Sequence, residues 1–309
     1  MQLPRISALA LSLLVAGGLV AGCGSSSTSS ASSGSPGASA LPAVSGSYGT
    51  KPALEFGGKK PPATLVTTVL RQGKGKTVAK GDLLVGDYLG QVWGGSVFDN
   101  SYDRKAPAGF AIGTGQVIPG WDKVLVGVKA GSRILMSLPP AQGYGSKGNS
   151  AAKIKGTDTL VFVVDVVSSY DKTAVGQADA QPQSVSTPGI TVTGALGAAP
   201  TLAVAKGTAA PAQPTATVLA KGTGAPIGTG LVVLQYVATT FEGTSAGSSW
   251  TDGTPVGANV TASASGSPFD VIKGVPLGSR VLLQVPAGSG RSAAAVVVDL
   301  VAQPASASA

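Results

Sequence analysis

The apolar run from Leu160 to Val167 limits the folds open to this chain more than any other feature. A strand with one face in water alternates apolar and polar side chains, whereas this run is apolar except at Asp165. The run therefore predicts a central strand of a sheet that is covered on both faces. The covering layers must come from segments elsewhere in the chain.

Segments before this run are rich in β-forming residues and end at glycines, which is typical of short strands joined by turns. These segments span 64–71, 83–89, 97–98, 109–112 and 133–138, with a further accessory strand suggested within 48–56. Pro119 fits the first turn of a helix. Trp121, Leu125 and Val128 follow at helical spacing, which predicts one short amphipathic helix that ends at Gly131. The sum predicts an α+β fold, a twisted antiparallel β-sheet wrapped around one short helix.

Composition excludes several classes of function. The sequence contains no histidine, the commonest general base and metal ligand, so a metal site is not expected. Its single cysteine cannot form an internal disulfide. The net charge of +8 is spread over single or paired basic residues such as Lys59-Lys60, without stacking aromatics between them. This argues against a nucleic-acid site and predicts only weak attraction to anionic surfaces.

The N-terminus has the pattern of an export signal. Arg5 precedes the apolar run 6–20, and small residues then lead to Cys23, as in a bacterial lipobox. The pattern predicts a lipoprotein signal peptide over 1–22 and a lipidated Cys23 that anchors the protein to the outer face of the bacterial cell membrane. The alternative is an ordinary signal peptide followed by a chance cysteine. Residues 23–63, which begin with a Ser-, Gly- and Ala-rich stretch, predict a flexible tether with the accessory strand.

Two motifs between Tyr88 and Tyr144 combine aromatic residues with an acid: Phe98-Asp99 and the stretch Gln116–Trp121. Neither contains a histidine or cysteine, so ordinary nucleophilic chemistry is not expected there. An aromatic pocket with one carboxylate can hold an apolar ring out of water while hydrogen bonds fix the adjacent backbone. A proline ring fits that description.

Residues 65 to 168 resemble the FKBP-type peptidylprolyl isomerases. The matching motifs are Asp87-Tyr88-Leu89-Gly90, Phe98-Asp99-Asn100-Ser101, Phe110 with Gly113, Gln116-Val117-Ile118-Pro119-Gly120-Trp121-Asp122, Gly127-Val128-Lys129-Ala130-Gly131, Leu138-Pro139-Pro140, Gly143-Tyr144-Gly145 and Thr159-Leu160-Val161-Phe162. The resemblance implies a peptidylprolyl cis-trans isomerase domain over 64–170. It also implies proline-containing polypeptides, here exported ones, as substrates, no cofactor, FK506-like macrolides as ligands and a monomeric state.

The resemblance also implies roles for single residues. Trp121 would form the pocket floor, and its walls and apolar contacts would be Tyr88, Phe98, Phe110, Val117, Ile154 and Phe162. Ile118 would donate its backbone N–H to the substrate, Gln116 would offer its carbonyl and Tyr144 its hydroxyl. Asp99 would face the substrate amide, with Arg104 positioned to pair with it. Taken singly, each of these could be a core or loop residue; their joint spacing favours the functional interpretation.

Two departures from the family pattern concern the pocket rim. Ala108 stands where many members carry a second phenylalanine, and Asn149-Ser150 replaces a segment that often holds a histidine. Loop contacts are therefore expected to be weaker or different, which bears on macrolide affinity, while the catalytic pocket itself is expected to persist.

The second half of the chain repeats the scaffold of the first. The recurring pairs include Thr68-Val69-Leu70 with Thr217-Val218-Leu219, Tyr88 with Tyr236, Arg133 with Arg280, and Val163–Val167 with Val297–Val301. The repeat predicts a second FKBP-like domain over 215–303, of the same α+β type around one short helix, and a tail over 304–309. Residues 171–214 are rich in Ala, Pro, Thr and Gly and predict an interdomain linker with some strand character near 190–193.

The pocket is not repeated. Positions equivalent to Phe98 and Asp99 hold Ala246 and Gly247, Val296 corresponds to Phe162, and the loop that carries Tyr144 is shorter in the second half. The region of Trp121 becomes Pro268-Phe269, and Trp250 reads as a packing residue. The second domain is therefore expected to be inactive. The alternative function for the whole chain is a non-catalytic chaperone or peptide-binding module on the cell surface.

Overall fold

The structure is a computed structural model that describes residues 40–262, 267–288 and 290–307. The predicted signal peptide, the proposed lipidation site Cys23 and residues 24–39 of the predicted tether lie outside the described residues. Within the described ranges, no helix is both long enough and apolar enough to cross a membrane.

The first lobe comprises residues 40–170. Its strands are β1 (Ala43–Ser45), β2 (Ala53–Glu55), β3 (Val66–Arg71), β4 (Leu83–Val92), β5 (Val97–Asn100), β6 (Ala108–Ala111), β7 (Arg133–Leu138) and β8 (Leu160–Tyr170). Its helix is α1 (Pro119–Leu125), and 3₁₀ turns lie at Pro140–Gln142, Gly145–Lys147 and Ser150–Ala152. Strands β3 to β8 form one antiparallel sheet in the order β3-β7-β8-β4-β5, in which β6 also pairs with β4.

Strand β8 lies between β7 and β4, and its residues 160–166 are all buried. On the inner face of the sheet, Phe162 and Val164 belong to a hydrophobic cluster with α1 residues such as Trp121. On the outer face, Val161 and Val163 belong to a second cluster that includes residues of β2 and its flanks. The central strand covered on both faces, predicted from the sequence, is confirmed.

The hairpin β1-β2 provides part of the outer covering layer. From the outer face of β7, Arg133 donates hydrogen bonds to the carbonyls of Gly46 (2.6 Å) and Thr50 (2.8 Å) in the hairpin turn. The residues from 40 to 56 are therefore part of the fold, whereas the sequence suggested only an accessory strand within a flexible tether.

Helix α1 is shorter than the sequence predicts, because it ends at Leu125 rather than at Gly131. Val126 is extended, and Gly127 adopts a left-handed φ of 89°. The backbone N–H of Gly127 bonds the carbonyl of Val78, and the N–H of Val78 bonds the carbonyl of Val128. Pairing with residue 78 thus replaces the next helical turn.

The second lobe comprises residues 171–307 and belongs to the same compact unit as the first. Its strands are β9 (Gln181–Pro182), β10 (Ile190–Thr193), β11 (Thr201–Val204), β12 (Thr215–Lys221), β13 (Gly230–Thr240), β14 (Ser245–Ser248), β15 (Val256–Val260), β16 (Arg280–Val285) and β17 (Ala294–Ala302). Its α-helix is α2 (Ser249–Asp252), and a 3₁₀ turn lies at Asp270–Ile272. The sheet order is β14-β13-β17-β16-β12-β9, with β15 paired to β13.

Without β9, this order matches the first sheet strand for strand. The structure differs from the sequence prediction in two places. The strand character predicted near 190–193 is confirmed as β10, but residues 190–204 form a hairpin, β10-β11, which packs on the second sheet as β1-β2 packs on the first and is not a linker. In addition, the region of Pro268-Phe269, which matches that of Trp121, leads only into a 3₁₀ turn at Asp270–Ile272, since the backbone becomes extended at Lys273, and α2 lies elsewhere, at Ser249–Asp252.

Candidate active site

Trp121 lies at the centre of a group of aromatic rings on the inner face of the first sheet. Its indole ring centroid is 4.7 Å from that of Phe110, 5.3 Å from that of Phe162 and 5.7 Å from that of Tyr88. Each pair meets edge to face, the arrangement that the quadrupoles of aromatic rings favour. Helix α1 and strands β4, β6 and β8 therefore converge on one aromatic box.

Phe98 on β5 completes the box through an edge-to-face contact with Phe162 at 5.6 Å. The contact depends on Gly90 of β4, because a Cβ atom there would lie 2.7 Å from ring atoms of both phenylalanines. The box thus consists of five rings: Tyr88, Phe98, Phe110, Trp121 and Phe162.

The segment before α1 brings further predicted residues to the box. Val117 and Ile118 are partly buried against the same hydrophobic cluster, and Ile154 from the loop before β8 is buried within it. The backbone N–H of Ile118 has no hydrogen-bond partner among the described residues. The side chain of Gln116 is exposed, so only its backbone could serve the predicted role.

A polar atom without a partner lies in this apolar surrounding. Trp121 is 3% exposed, and its indole Nε1 is buried without an acceptor in the part of the chain that the structure describes. A buried N–H without a partner costs free energy in a folded protein, and such atoms often serve a ligand. Among the described residues, the indole N–H is therefore an unsatisfied donor at the centre of the aromatic box.

Asp99 is held by two neighbours. One carboxylate oxygen accepts a hydrogen bond from the Tyr88 hydroxyl, and the other accepts one from the Arg104 guanidinium. Arg104 also donates to the Tyr88 hydroxyl oxygen at 2.9 Å. Burial and the hydrogen bond to Asp99 raise the pKa of Tyr88 far above its usual value, so its hydroxyl remains a donor at neutral pH. The triad fixes the carboxylate and balances its charge.

Tyr144, in the loop after β7, is partly buried against the hydrophobic cluster that contains Tyr88, Trp121 and Phe162. Burial raises the pKa of the Tyr144 hydroxyl, a hydrogen bond with the Asn149 side chain lowers it, and the charge of Asp99 raises it again. The loop is closed by reciprocal backbone hydrogen bonds between Asn149 and Ile154 of 2.8 and 2.9 Å.

A buried hydrogen-bonded pair beneath the box was not singled out as functional from the sequence. The Ser101 hydroxyl accepts the backbone N–H of Tyr88 at 2.9 Å and donates to the Asp87 carboxylate at 2.8 Å. Both side chains are essentially inaccessible. Asp87 and Ser101 belong to two of the FKBP-like motifs. Their closeness in sequence to Tyr88 and Asp99 is the signal that could have identified them as functional residues.

The second lobe keeps that supporting pair but not the box. Ser249 accepts the backbone N–H of Tyr236 at 2.8 Å and donates to Gln235 at 2.6 Å, as Ser101 does in the first lobe. Strand β14 carries Ala246 and Gly247 where β5 carries Phe98 and Asp99.

Comparison with known proteins identifies the family. The model of the family described as FKBP-type peptidyl-prolyl cis-trans isomerase matches residues 74–167. An FK506-binding protein of Streptomyces anulatus is 37% identical over 119 residues, which cover 38% of this chain and 96% of that protein. This chain belongs to the FKBP-type peptidyl-prolyl cis-trans isomerase family. The predicted enzyme class is thereby confirmed.

Other FKBP-type proteins match the same part of the chain. An FK506-binding protein of Neisseria meningitidis serogroup A is 35% identical over 108 residues, covering 35% of this chain and 98% of that protein. The crystal structure of FkpA from Escherichia coli is 35% identical with a TM-score of 0.33, and the match covers 37% of this chain and 54% of that chain. The FKBP family match lies within the first lobe, which contains the aromatic box.

Proposed function

We propose that the first lobe isomerises Xaa-Pro bonds of exported polypeptides in the aromatic box. One observation carries the proposal: five rings surround a buried indole N–H that has no partner among the described residues, and Asp99 is held beside them by Tyr88 and Arg104. The arrangement suits an apolar ring with an adjacent carbonyl, which is the chemistry of a prolyl residue.

Rotation about the amide bond has to overcome a barrier of about 18–20 kcal/mol, because it breaks the resonance of that bond. The planar ground state is more charge-separated than the twisted transition state, so an apolar box disfavours the ground state relative to the transition state. Hydrogen bonds that hold the twisted geometry supply the rest of the reduction in the barrier. The reaction needs no proton transfer.

The donors and acceptors around the box have defined roles in this mechanism. Ile118 donates its free backbone N–H to a substrate carbonyl, and Gln116 accepts through its backbone carbonyl. Tyr144 donates its hydroxyl, which its raised pKa keeps protonated. Asp99 faces the amide of the bound prolyl residue. FK506-like macrolides, for which two relatives are named, would compete with the substrate for the same box.

The Asp99→Asn variant tests the role of the carboxylate. We expect kcat/KM for cis-to-trans isomerisation of an Xaa-Pro peptide by the full chain to fall about tenfold. Hydrogen bonds to charged groups contribute about 1.5–3 kcal/mol, and 1.4 kcal/mol corresponds to a factor of ten. The assay is a protease-coupled measurement on a chromogenic proline peptide.

Asp103→Asn is the matched control, because Asp103 lies in the turn directly after β5, which carries Asp99, but pairs with Lys51 in solvent at 2.7 Å. It should leave kcat/KM unchanged. Equal rates for the two variants, or no acceleration by the wild-type chain, would contradict the proposed function. In the latter case the chain would act as the non-catalytic binding module considered above.

We also propose that Cys23 is lipidated and that the enzyme acts on the outer face of the bacterial cell membrane. The support is the sequence alone: a basic residue, an apolar run and small residues directly before the chain's single cysteine. Expression with a radiolabelled fatty acid should label the wild-type chain and leave Cys23→Ser unlabelled. Equal labelling of both chains, or none of either, would contradict the anchor.

A further inference from the structure

The two lobes meet through equivalent residues of the repeat. Leu83 and Val85 on β4 form one buried hydrophobic cluster with Leu231 and Val233 on β13. Leu231 follows Leu83 by 148 positions, and Val233 follows Val85 by the same number. An interface in which each patch meets its own equivalent is the pattern of a twofold dimer. The second lobe thus contacts the first as a covalently attached partner subunit would.

A pair of glycines extends this pseudo-twofold contact to β6. Gly109 on β6 faces Gly257 on β15, again 148 positions later. A Cβ atom at Gly257 would lie 2.8 Å from the Leu231 side chain and 3.8 Å from the Cα of Gly109. The backbones of β6 and β15 approach closely only because neither residue has a side chain.

Strand β6 connects this interface to the aromatic box. Side chains alternate between the two faces of a strand, so Phe110 points into the box while Gly109 points at the second lobe. Among the described strands, β6 pairs only with β4. On the other face of β6, the packing of the second lobe against Gly109 adds to the ring contacts of Phe110 with Tyr88 and Trp121 in holding this wall in place.

Two hydrogen bonds add to this support. The Thr254 hydroxyl donates to the carbonyl of Gly81, directly before β4, at 2.6 Å. The backbone N–H of Ala307, near the C-terminus, donates to the Asp87 carboxylate at 2.8 Å. Asp87 in turn accepts from Ser101, which holds the backbone of Tyr88. The second lobe therefore contacts the supports of two walls of the box, Tyr88 and Phe110.

We propose that the second lobe positions the Phe110 wall, and that Leu231 and Gly257 are positioning residues for the isomerase site. This rests on the proposed function of the first lobe. If Phe110 is held less firmly, the box adopts its binding-competent form in only a fraction of the molecules. The apparent affinity for the substrate then falls in proportion to that fraction. The effect should therefore appear mainly in KM.

The test compares Leu231→Ala with Leu282→Ala in the full chain. Both leucines are buried in the second sheet, but Leu282 packs in the cluster of the β10-β11 hairpin, away from the lobe interface. Leu231→Ala should raise KM for the proline peptide about fivefold with a smaller change in kcat, and should speed hydrogen exchange of the β6 amides. Leu282→Ala should do neither, and Leu231→Met, which nearly preserves volume, should restore both.

Identical kinetics and β6 exchange in the two alanine variants would overturn the proposal, since the second lobe would then contribute only stability. Faster β6 exchange in Leu231→Ala with unchanged KM would also overturn it. If the wild-type chain accelerates no isomerisation, the proposed function fails, and the exchange comparison alone decides whether the second lobe positions Phe110.

Discussion

The Trp121→Ala variant is expected to lose about a hundredfold in kcat/KM. A proline ring lying on the indole buries an apolar group, and full burial of a group of the size of valine contributes about 1.5–3 kcal/mol. A hydrogen bond from the indole N–H adds about 1 kcal/mol. Together these terms correspond to a factor of about one hundred or more. The protease-coupled assay on the full chain measures the loss.

Trp121 is also a core residue, so a folding defect must be separated from a catalytic one. Removing a buried tryptophan side chain costs about 3–5 kcal/mol of stability. Trp121→Leu keeps most of the apolar volume but removes both the flat floor and the N–H donor, and it should show a similar loss of kcat/KM while remaining folded by circular dichroism. Trp250→Leu, in α2 of the second lobe, is the tryptophan control and should keep wild-type kinetics. A folded Trp121→Leu variant with wild-type kcat/KM would contradict the assignment of the floor.

The central strand shows what local sequence can predict about this fold. A run that is apolar on both faces of a strand has only one stable environment in a sheet, between two covering layers, and residues 160–166 of β8 are buried in that way, Asp165 included. Strand β7 begins and ends where its pattern indicates, at Arg133 and Leu138. The apolar pattern predicts these strands because the burial of each position determines whether an apolar or a polar residue is found there.

The grouping of the site residues could be predicted only from the joint motif spacing. Tyr88, Phe110 and Phe162 each look like core residues, and each does pack in the core. What distinguishes them is that they surround one unpartnered donor, the indole N–H of Trp121. Whether a buried donor has a hydrogen-bond partner depends on all the residues packed around it, so no local sequence pattern reveals it.

The sequence suggested strands of the outer covering layer within 48–56 and near 190–193, but the packing of the two hairpins on the sheets was not predictable, because its contacts are distant in sequence and leave little pattern. The β10-β11 hairpin has the Ala-, Thr- and Gly-rich composition of a linker, and carbonyl groups of its turn bind Arg280, about 80 residues later. The lobe interface has the same character. Gly109 and Gly257 are required because the two backbones approach each other closely at these positions, and neither local sequence indicates that approach.

Arg133→Met is expected to destabilise the first lobe by about 3–5 kcal/mol, the usual cost of leaving one member of a buried ion pair without its partner. Arg133 and Asp165 lie on the outer face with side chains 3% and 0% exposed, and they share two hydrogen bonds of 2.6 and 2.7 Å. The loss should appear as a lower urea midpoint and as faster hydrogen exchange in the β1-β2 hairpin, whose turn carbonyls lose their donor.

The repeat supplies the matched control in the same molecule. Arg280 pairs with Asp299 in the second lobe at 2.7 and 2.8 Å and donates to Ala195 and Ala198 of the β10-β11 turn. Arg280→Met should therefore speed exchange in residues 190–204 and leave the first hairpin protected. If both variants loosened both hairpins equally, the local account would be wrong.

A double variant separates the charge from the contact. In Arg133→Met with Asp165→Leu, no uncompensated buried charge remains, and replacing a whole buried pair by apolar residues is often neutral or stabilising. The urea midpoint should therefore recover most of the loss, while the hairpin stays more exchange-labile than in the wild type because its turn carbonyls still lack the guanidinium. Should the double variant be less stable than Arg133→Met alone, the cost lies in the lost hydrogen bonds of the network and not in the orphaned carboxylate.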